Sequence, residues 1–260
     1  MANTICLIDA SKCIGCRGCQ VACKQWNQLP AENTTFEGSY ENPPRFSPNT
    51  WLRVVFREYD DNGKVSWLMS KQGCMHCTDA ACMQACPAGA IYRTAQGTVN
   101  VDEVKCIGCN YCAAACPFHV MSFDRLTNKA RKCTFCVDRL ENGMLPACAK
   151  ACPTGSITFG DRRELIAKAV KRVDQLKAAG KSDATIFGLD EVDGTAMLYV
   201  LADKPEKYGL PADPQVSMQT RIWNAVFKPL RVLVVVAVAF GLWSNCSQSK
   251  QVEQAKDESK

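Results

Sequence analysis

Two runs rich in apolar, β-forming residues flank the polar pair Asn62-Gly63 and predict a β-hairpin within residues 50–70. Asn-Gly suits a two-residue hairpin turn because both residues tolerate positive φ angles. Residues 90–101 repeat this pattern on a smaller scale. The proline-rich segment between residues 41 and 48 predicts a loop.

Farther along the chain, apolar residues recur at helical spacing from Asp161 to about Ala179. Asp161 can cap the first turn of this helix, and Gly180 suits the position after its end. Such an amphipathic helix usually covers a core, and residues 195–203 then predict a strand, followed by an extended arm at 204–214. The apolar face of the helix is predicted to comprise Leu165, Ile166, Val170, Val173 and Leu176.

The most apolar segment lies near the C-terminus, at residues 222–243. Its strongly apolar part, from Val232, is short for a membrane span, but the full 22 residues suffice if Lys228 and Arg231 reach one headgroup layer. We favour a single membrane anchor at residues 221–246 over a buried helix, with a polar tail at 247–260. Its orientation stays open because cations flank both ends.

Cysteine is the unusual component, with 18 residues in a chain of 260. Disulfides, zinc and iron-sulfur clusters compete to explain so many thiols. The first residues have neither a basic start nor a long apolar stretch before a cleavage site, which disfavours disulfides. Export remains open, because a chain can cross a membrane attached to a partner that carries the signal.

Sixteen of the cysteines fall into four groups of four, and only Cys6 and Cys246 lie outside them. The third group matches the bacterial ferredoxin run C-x2-C-x2-C-x3-C-P, in which three cysteines bind one cluster and the fourth binds its neighbour. Zinc sites normally take two ligands from each of two knuckles. The repetition therefore favours iron-sulfur clusters. The groups are Cys13, Cys16, Cys19, Cys23; Cys74, Cys77, Cys82, Cys86; Cys106, Cys109, Cys112, Cys116; and Cys133, Cys136, Cys148, Cys152.

Cluster charge changes the interpretation of the formal net charge, which is +5. Four oxidised clusters with their thiolates contribute about −8, which brings the total to about −3. Without a basic stripe interleaved with aromatic residues, nucleic acid is not an expected partner.

Several residues near the cysteine groups have two interpretations. Ile14 and Ile107 are expected to shield clusters from water, and His76 to tune a cluster rather than bind it. Two loop insertions, after Cys77 and after Cys136, serve either as a docking surface or as tolerated loops. Six cations beside the cysteines either raise reduction potentials or are ordinary solvated charges: Lys12, Arg17, Lys24, Lys105, Arg131 and Lys132.

The four groups resemble those of the four-cluster electron-transfer subunits of molybdopterin oxidoreductases. The flanking residues are similar to the iron-sulfur (beta) subunit of membrane-bound formate dehydrogenase of the N/O type, and the similarity covers nearly the whole chain. The segment GTAMLYVLADKPEKYGLPADP discriminates most, because related systems share the cysteine pattern. The other segments that carry the resemblance are IDASKCIGCRGCQVACKQWN, YENPP, GCMHCTDAACMQACPAGAI and KCTFCVDRLENGMLPACAKACPTGSI.

This resemblance implies an α+β fold with two ferredoxin-like domains that hold four 4Fe-4S clusters. Residues 1–160 would carry the clusters, with an insertion at 24–73 that contains the hairpin, and residues 161–220 would form a helix-strand extension and arm. The implied ligand sets are Cys13, Cys16, Cys19 with Cys152; Cys23 with Cys133, Cys136, Cys148; Cys74, Cys77, Cys82 with Cys116; and Cys86 with Cys106, Cys109, Cys112.

The resemblance also implies partners. A catalytic alpha subunit with molybdenum or tungsten would oxidise formate, and the clusters would pass electrons toward a cytochrome b gamma subunit and quinone. The implied location is the cell membrane with the globular part on the exoplasmic (periplasmic) side; the cytoplasmic side is the alternative. The chain itself is expected to be non-catalytic.

Other functions stay open at this point. The chain is alternatively the equivalent subunit of a dimethyl sulfoxide, polysulfide or tetrathionate reductase or of a hydrogenase. It is otherwise a free polyferredoxin, or an adaptor stapled by zinc.

Overall fold

Short strands and helices alternate along the chain, and most helices are only one or two turns long. The computed structural model describes residues 2–61, 63–230, 238 and 240–243. The strands are β1 (Thr4–Asp9), β2 (Leu52–Asp61), β3 (Lys64–Gly73), β4 (Ile91–Arg93), β5 (Val99–Val101), β6 (Ser122–Asp124), β7 (Lys129–Arg131), β8 (Ile157–Asp161), β9 (Thr185–Phe187) and β10 (Met197–Leu201). The α-helices are α1 (Gly18–Trp26), α2 (Ala81–Ala85), α3 (Tyr111–Ala115), α4 (Val137–Glu141), α5 (Ala147–Lys150), α6 (Arg162–Ala178) and α7 (Met218–Ile222).

A four-stranded sheet brings together the two ends of the first compact unit, residues 1–217. The strand order is β8-β1-β10-β9, with β1 parallel to β10 and antiparallel to β8. All five residues of β10 are buried, as expected for a central strand covered on both faces. The sheet therefore joins strands from both sides of residue 160, although the expected extension begins at 161.

Three separate two-stranded hairpins complete the strands. In the first, β2 pairs with β3 from Leu52↔Gly73 to Asp61↔Lys64, which confirms the hairpin predicted around Gly63. The second pairs β4 with β5 and confirms the smaller hairpin predicted at 90–101. The third, β6 with β7, has strands of three residues each, and the sequence pattern did not predict it.

Helix α6 begins and ends where its capping residues predict. The Asp161 carboxylate accepts hydrogen bonds from the Arg163 and Glu164 amides, at 2.8 and 3.2 Å. One predicted member of its apolar face is wrong: Val170 is 47 % exposed, while Ala169 is fully buried. The buried face is therefore rotated by one position toward the small residue, because the helix packs closely against the sheet.

The predicted strand at 195–203 is confirmed as β10, and the arm after it is less extended than expected. It contains a 3₁₀ turn at Pro205–Tyr208. The Tyr208 side chain is buried. The backbone carbonyl of Tyr208 accepts a 2.9 Å hydrogen bond from the side-chain amide of Gln72. The arm is thus tied to the long hairpin.

The second unit begins at Met218, with α7 followed by a π-helical turn at Trp223–Phe227. Among the described residues, no helix combines the length and the apolar character needed to cross a bilayer. Much of the predicted anchor at 221–246, including Cys246, and all of the tail at 247–260 lie outside the described residues.

Candidate metal centres

Three cavities of similar size are each lined by four of the predicted ligand cysteines. About 350, 340 and 320 Å³ within them is not filled by protein atoms, and part of this space is open to solvent. We refer to the quartets that line them as site II (Cys23, Cys133, Cys136, Cys148), site III (Cys74, Cys77, Cys82, Cys116) and site IV (Cys86, Cys106, Cys109, Cys112). In each, the structure brings together cysteines from two groups that are separate in sequence.

The remaining quartet, site I (Cys13, Cys16, Cys19, Cys152), joins the first and fourth groups. Burial raises the pKa of the Cys13 thiol, and the nearby Cys152 and Cys16 thiols raise it further. Helix α1 lies against the end of the fourth group, where a Cβ on Gly18 would stand 3.4 Å from the Ala151 carbonyl oxygen. The packing of α1 against α5 thus brings the first and fourth cysteine groups together at site I.

Left-handed backbone at matching positions shapes the two most similar loops. Arg17 and Asn110 each precede a helix with φ angles of 60° and 62°. Gly15 and Gly108 also have positive φ, and a Cβ on Gly108 would lie only 2.6 Å from the Asn128 carbonyl oxygen. Ile14 and Ile107 are both exposed, and Ile107 lines the site IV cavity. Their role as a shield of the clusters stays a prediction.

The thiols couple the four sites in one series. Burial is the main reason that the pKa of Cys19 rises to about 12, and Cys148 of site II adds to the rise. In the same way, Cys74 of site III raises the pKa of Cys133 in site II. Cys112 of site IV raises the pKa of Cys82 in site III. These influences link site I to site II, site II to site III, and site III to site IV. Among the cysteines described, Cys16 and Cys109 are classed as exposed, and they belong to the two end sites.

Backbone amides point at several cysteine sulfurs. The Ala90 amide lies 3.3 Å from Cys86 Sγ, the Phe135 amide 3.4 Å from Cys133 Sγ, and the Ala130 amide 3.5 Å from Cys106 Sγ. Such N–H···S bonds stabilise negative charge on sulfur and are one of the ways in which a protein sets the potential of an iron-sulfur cluster.

His76 provides a test of whether the cavities fit a cluster. Its ring is 2 % exposed and lines the site III cavity. Nδ1 accepts a 3.2 Å hydrogen bond from the Val99 amide, so the ring proton belongs on Nε2. Nε2 is buried without a hydrogen-bond partner in the described part of the chain. Because buried donors are normally satisfied, this orphan fits a sulfur-rich group in the cavity.

Burial and the positive charges of Lys132 and Lys71 lower the pKa of His76 well below its ordinary value. The ring is therefore neutral, and it acts as a hydrogen-bond donor rather than as a charge.

Within the described ranges, no three Cys, His, Asp or Glu side chains are grouped closely enough for a single metal ion.

The six flanking cations lie in three kinds of environment. Four of them form ion pairs with carboxylates at 3.3 to 3.4 Å. The pairs are Lys12 with Asp9, Lys24 with Glu32, Lys105 with Asp102, and Arg131 with both Glu103 and Asp124. Arg17 lies over the Phe56 ring, with Cζ 5.1 Å from its centroid. Lys132 differs, because it is buried and its ammonium donates to the Val99 and Cys133 carbonyls.

Lys71 is a buried cation that the sequence pattern did not single out. It lines the site II cavity and is 2 % exposed. Its burial follows from the pairing of the long hairpin, in which it lies opposite Val54. No local signal distinguishes it from the exposed lysines of the chain.

The thiol of Cys6 is fully buried in β1, as expected for an apolar thiol. A hydrogen bond with the Cys148 thiol is the largest cause that raises the pKa of Cys6, followed by burial. Cys6 thus contacts the wall of site II from outside the quartet.

Two family matches cover the cysteine-rich part of the chain. One 4Fe-4S dicluster domain matches residues 65–162, and another matches residues 12–90. Together they include all sixteen cysteines of the four sites.

Curated relatives match over most of the chain. The iron-sulfur subunit of the nitrate-inducible formate dehydrogenase of Escherichia coli K12 is 45 % identical over 240 residues, covering 91 % of this chain and 82 % of the relative. The formate dehydrogenase iron-sulfur subunit of Haemophilus influenzae is also 45 % identical, over 90 % of this chain and 75 % of its own length. The formate dehydrogenase-O iron-sulfur subunit of E. coli K12 is 44 % identical over 228 residues, with coverages of 86 % and 76 %.

Proposed function

The chain belongs to the iron-sulfur subunits of formate dehydrogenases, and from that premise we propose that it carries electrons from a formate-oxidising catalytic subunit. Members of this family are electron-transfer subunits with several 4Fe-4S clusters. The observation that carries the proposal is the serial order of sites I to IV, whose two end sites contain the exposed cysteines Cys16 and Cys109.

Each site would hold one 4Fe-4S cluster through its four thiolates. The proposal is supported by the three cavities of 320 to 350 Å³ with four cysteines each, and by the amides directed at Cys86, Cys133 and Cys106. When bound, each cluster accepts and returns one electron. The apolar residues that line sites II and III would limit the access of water to the clusters, and the neutral His76 ring would donate its Nε2 proton to a sulfur at site III.

The two ends of the series have distinct roles in this proposal. Electrons enter at one exposed end site and leave at the other, because a partner can approach only a site that reaches the surface. The middle sites, II and III, contain buried or partly buried cysteines and would serve only the transfer between the two end sites.

The relatives are named as subunits of formate dehydrogenases, which supports a catalytic subunit as one partner of this chain. We propose that the catalytic partner carries molybdopterin with molybdenum or tungsten and that a membrane cytochrome b passes electrons to quinone. The apolar residues at 221–246 would anchor the chain to the membrane, with residues 1–220 on the exoplasmic side. Residues 1–160 would hold the clusters, and 161–220 would support them as an extension.

Anaerobic purification with the partner chains tests the function directly. We expect about sixteen irons per chain and bleaching of the cluster absorbance by formate. Bleaching by another donor, but not by formate, would assign the chain to a sister enzyme. Zinc in place of iron would indicate an adaptor, and purification without a large partner would indicate a free polyferredoxin.

A further inference from the structure

Lys71 is a buried cation for which the protein provides no counter-charge of the usual kind. Its side chain is 2 % exposed, and the atom nearest to Nζ among its hydrogen-bond partners is the Met197 sulfur, at 3.5 Å. In the described part of the chain, no carboxylate lies within ion-pairing distance of it. An ammonium placed in this way is costly unless an anion compensates it.

The surroundings of Lys71 identify where that anion would be. The side chain lines the same cavity as Cys23, Cys133 and Cys148. Its positive charge acts on the thiols of site II and also on Cys19 of site I. A 4Fe-4S cluster with four thiolates carries about two negative charges and gains one more on reduction.

We propose that Lys71 is the internal counter-charge of the cluster at site II and raises its reduction potential. The inference rests on the proposed function, since it requires a cluster at this site. An ammonium fixed in a cavity that excludes water stabilises the more negative, reduced form more than the oxidised form. Site I should respond in the same direction but less strongly, because Lys71 lines the site II cavity, whereas at site I its charge acts on Cys19.

Lys132 shows why Lys71 is the stronger candidate. The Lys132 ammonium donates to two backbone carbonyls, Val99 O and Cys133 O, which offset part of its charge. Among the described residues, the Lys71 ammonium has only the Met197 thioether as a hydrogen-bond partner, so its charge faces the cavity with little compensation.

The experiment is a redox titration of the intact complex, followed by electron paramagnetic resonance. Lys71→Met removes the charge with little change in length, Lys71→Gln is a second neutral variant, and Lys71→Arg retains the charge. Lys168→Met, on the exposed face of α6, is the surface control. A Cys136→Ser variant identifies the signal of site II, because it alters a ligand of that cluster alone.

In the neutral variants we expect the equilibrium for one-electron reduction at site II to shift at least tenfold toward the oxidised form, a fall of about 59 mV. Lys71→Arg and Lys168→Met should shift it less than threefold. If both neutral variants lose about four irons while Lys71→Arg keeps them, the charge is needed to hold the dianionic cluster, which also supports the inference.

Two results would overturn it. One is an unchanged site II potential in Lys71→Met and Lys71→Gln with full iron content. The other is an equal shift, or an equal loss of iron, in Lys71→Arg. Both differ from failure of the proposed function, which would appear in the unmodified complex as missing clusters or as no bleaching by formate.

Discussion

The four-stranded sheet and the two small hairpins, β4–β5 and β6–β7, support their cysteines in different ways. The sheet has a core of its own, in which every residue of β10 is buried and α6 packs against the sheet. The hairpins have strands of only three residues, and four of the eleven buried residues in their core are cysteines: Cys74, Cys86, Cys112 and Cys116. In the hairpin region, thiols and the groups that they bind thus take the place of an apolar core. The sheet region has an apolar core that does not depend on its sites.

Removal of iron should produce the largest difference between the two regions, measured as the protection of their backbone amides from hydrogen exchange. After oxidative loss and chelation of the clusters, we expect the amides of β4–β7 to exchange with solvent within seconds, because metal binding supplies much of the folding free energy of a small metal domain. The amides of β1, β8 and β10 should remain protected. Hydrogen exchange with mass spectrometry measures both regions in one sample. Equal loss of protection in both would show that the sheet depends on the clusters as well.

A ligand substitution tests the hairpin region at a single site. Cys112→Ser should lower the iron content by about four of sixteen and remove the signal of site IV. Cys6→Ala is the matched control, because Cys6 is buried in the sheet region but belongs to no site. Its iron content should remain at about sixteen. Loss of iron in the control comparable to that in Cys112→Ser would mean that Cys6 is required for a site.

The core of the sheet region should respond to the loss of apolar volume. Leu165 is buried between α6 and the sheet, so Leu165→Ala should lower the free energy of unfolding by about 2–5 kcal/mol. Val170, which is half exposed on the same helix, provides the control, and Val170→Ala should change the stability by less than about 0.5 kcal/mol. Denaturant unfolding followed by far-ultraviolet circular dichroism compares them. Similar losses for both variants would contradict the observed orientation of the helix.

The smallest expected effect is at the start of α6. Asp161→Ala removes the acceptor for two backbone amides and should lower the free energy of unfolding by about 1 kcal/mol. Asp161→Asn keeps a side-chain acceptor and should retain most of the stability. The same unfolding curves measure both variants, and the iron content should not change in either. A loss of iron would show that α6 also stabilises the clusters, which would contradict the comparison of the two regions.

Patterns within short segments predicted much of the local structure. The turn at Gly63, the cap at Asp161 and the strand around Leu198 were each predicted from neighbouring residues, and each is confirmed. Val170 was misplaced because helical spacing alone cannot choose between adjacent positions at the edge of an apolar face. Ala169 is buried instead, since a small side chain permits closer packing.

The sequence by itself determined the chemistry of this protein, because cysteine spacing within a loop decides how many thiols can reach one cluster. The tertiary structure decided how that chemistry is arranged. It paired β1 with β10 across almost 200 residues of chain and gathered cysteines of separate groups around shared cavities. It also buried Lys71 and left Lys168 in solvent, although both are lysines without a distinguishing local pattern. Burial and electrostatic contact arise between segments distant in sequence, and only the packed chain determines them.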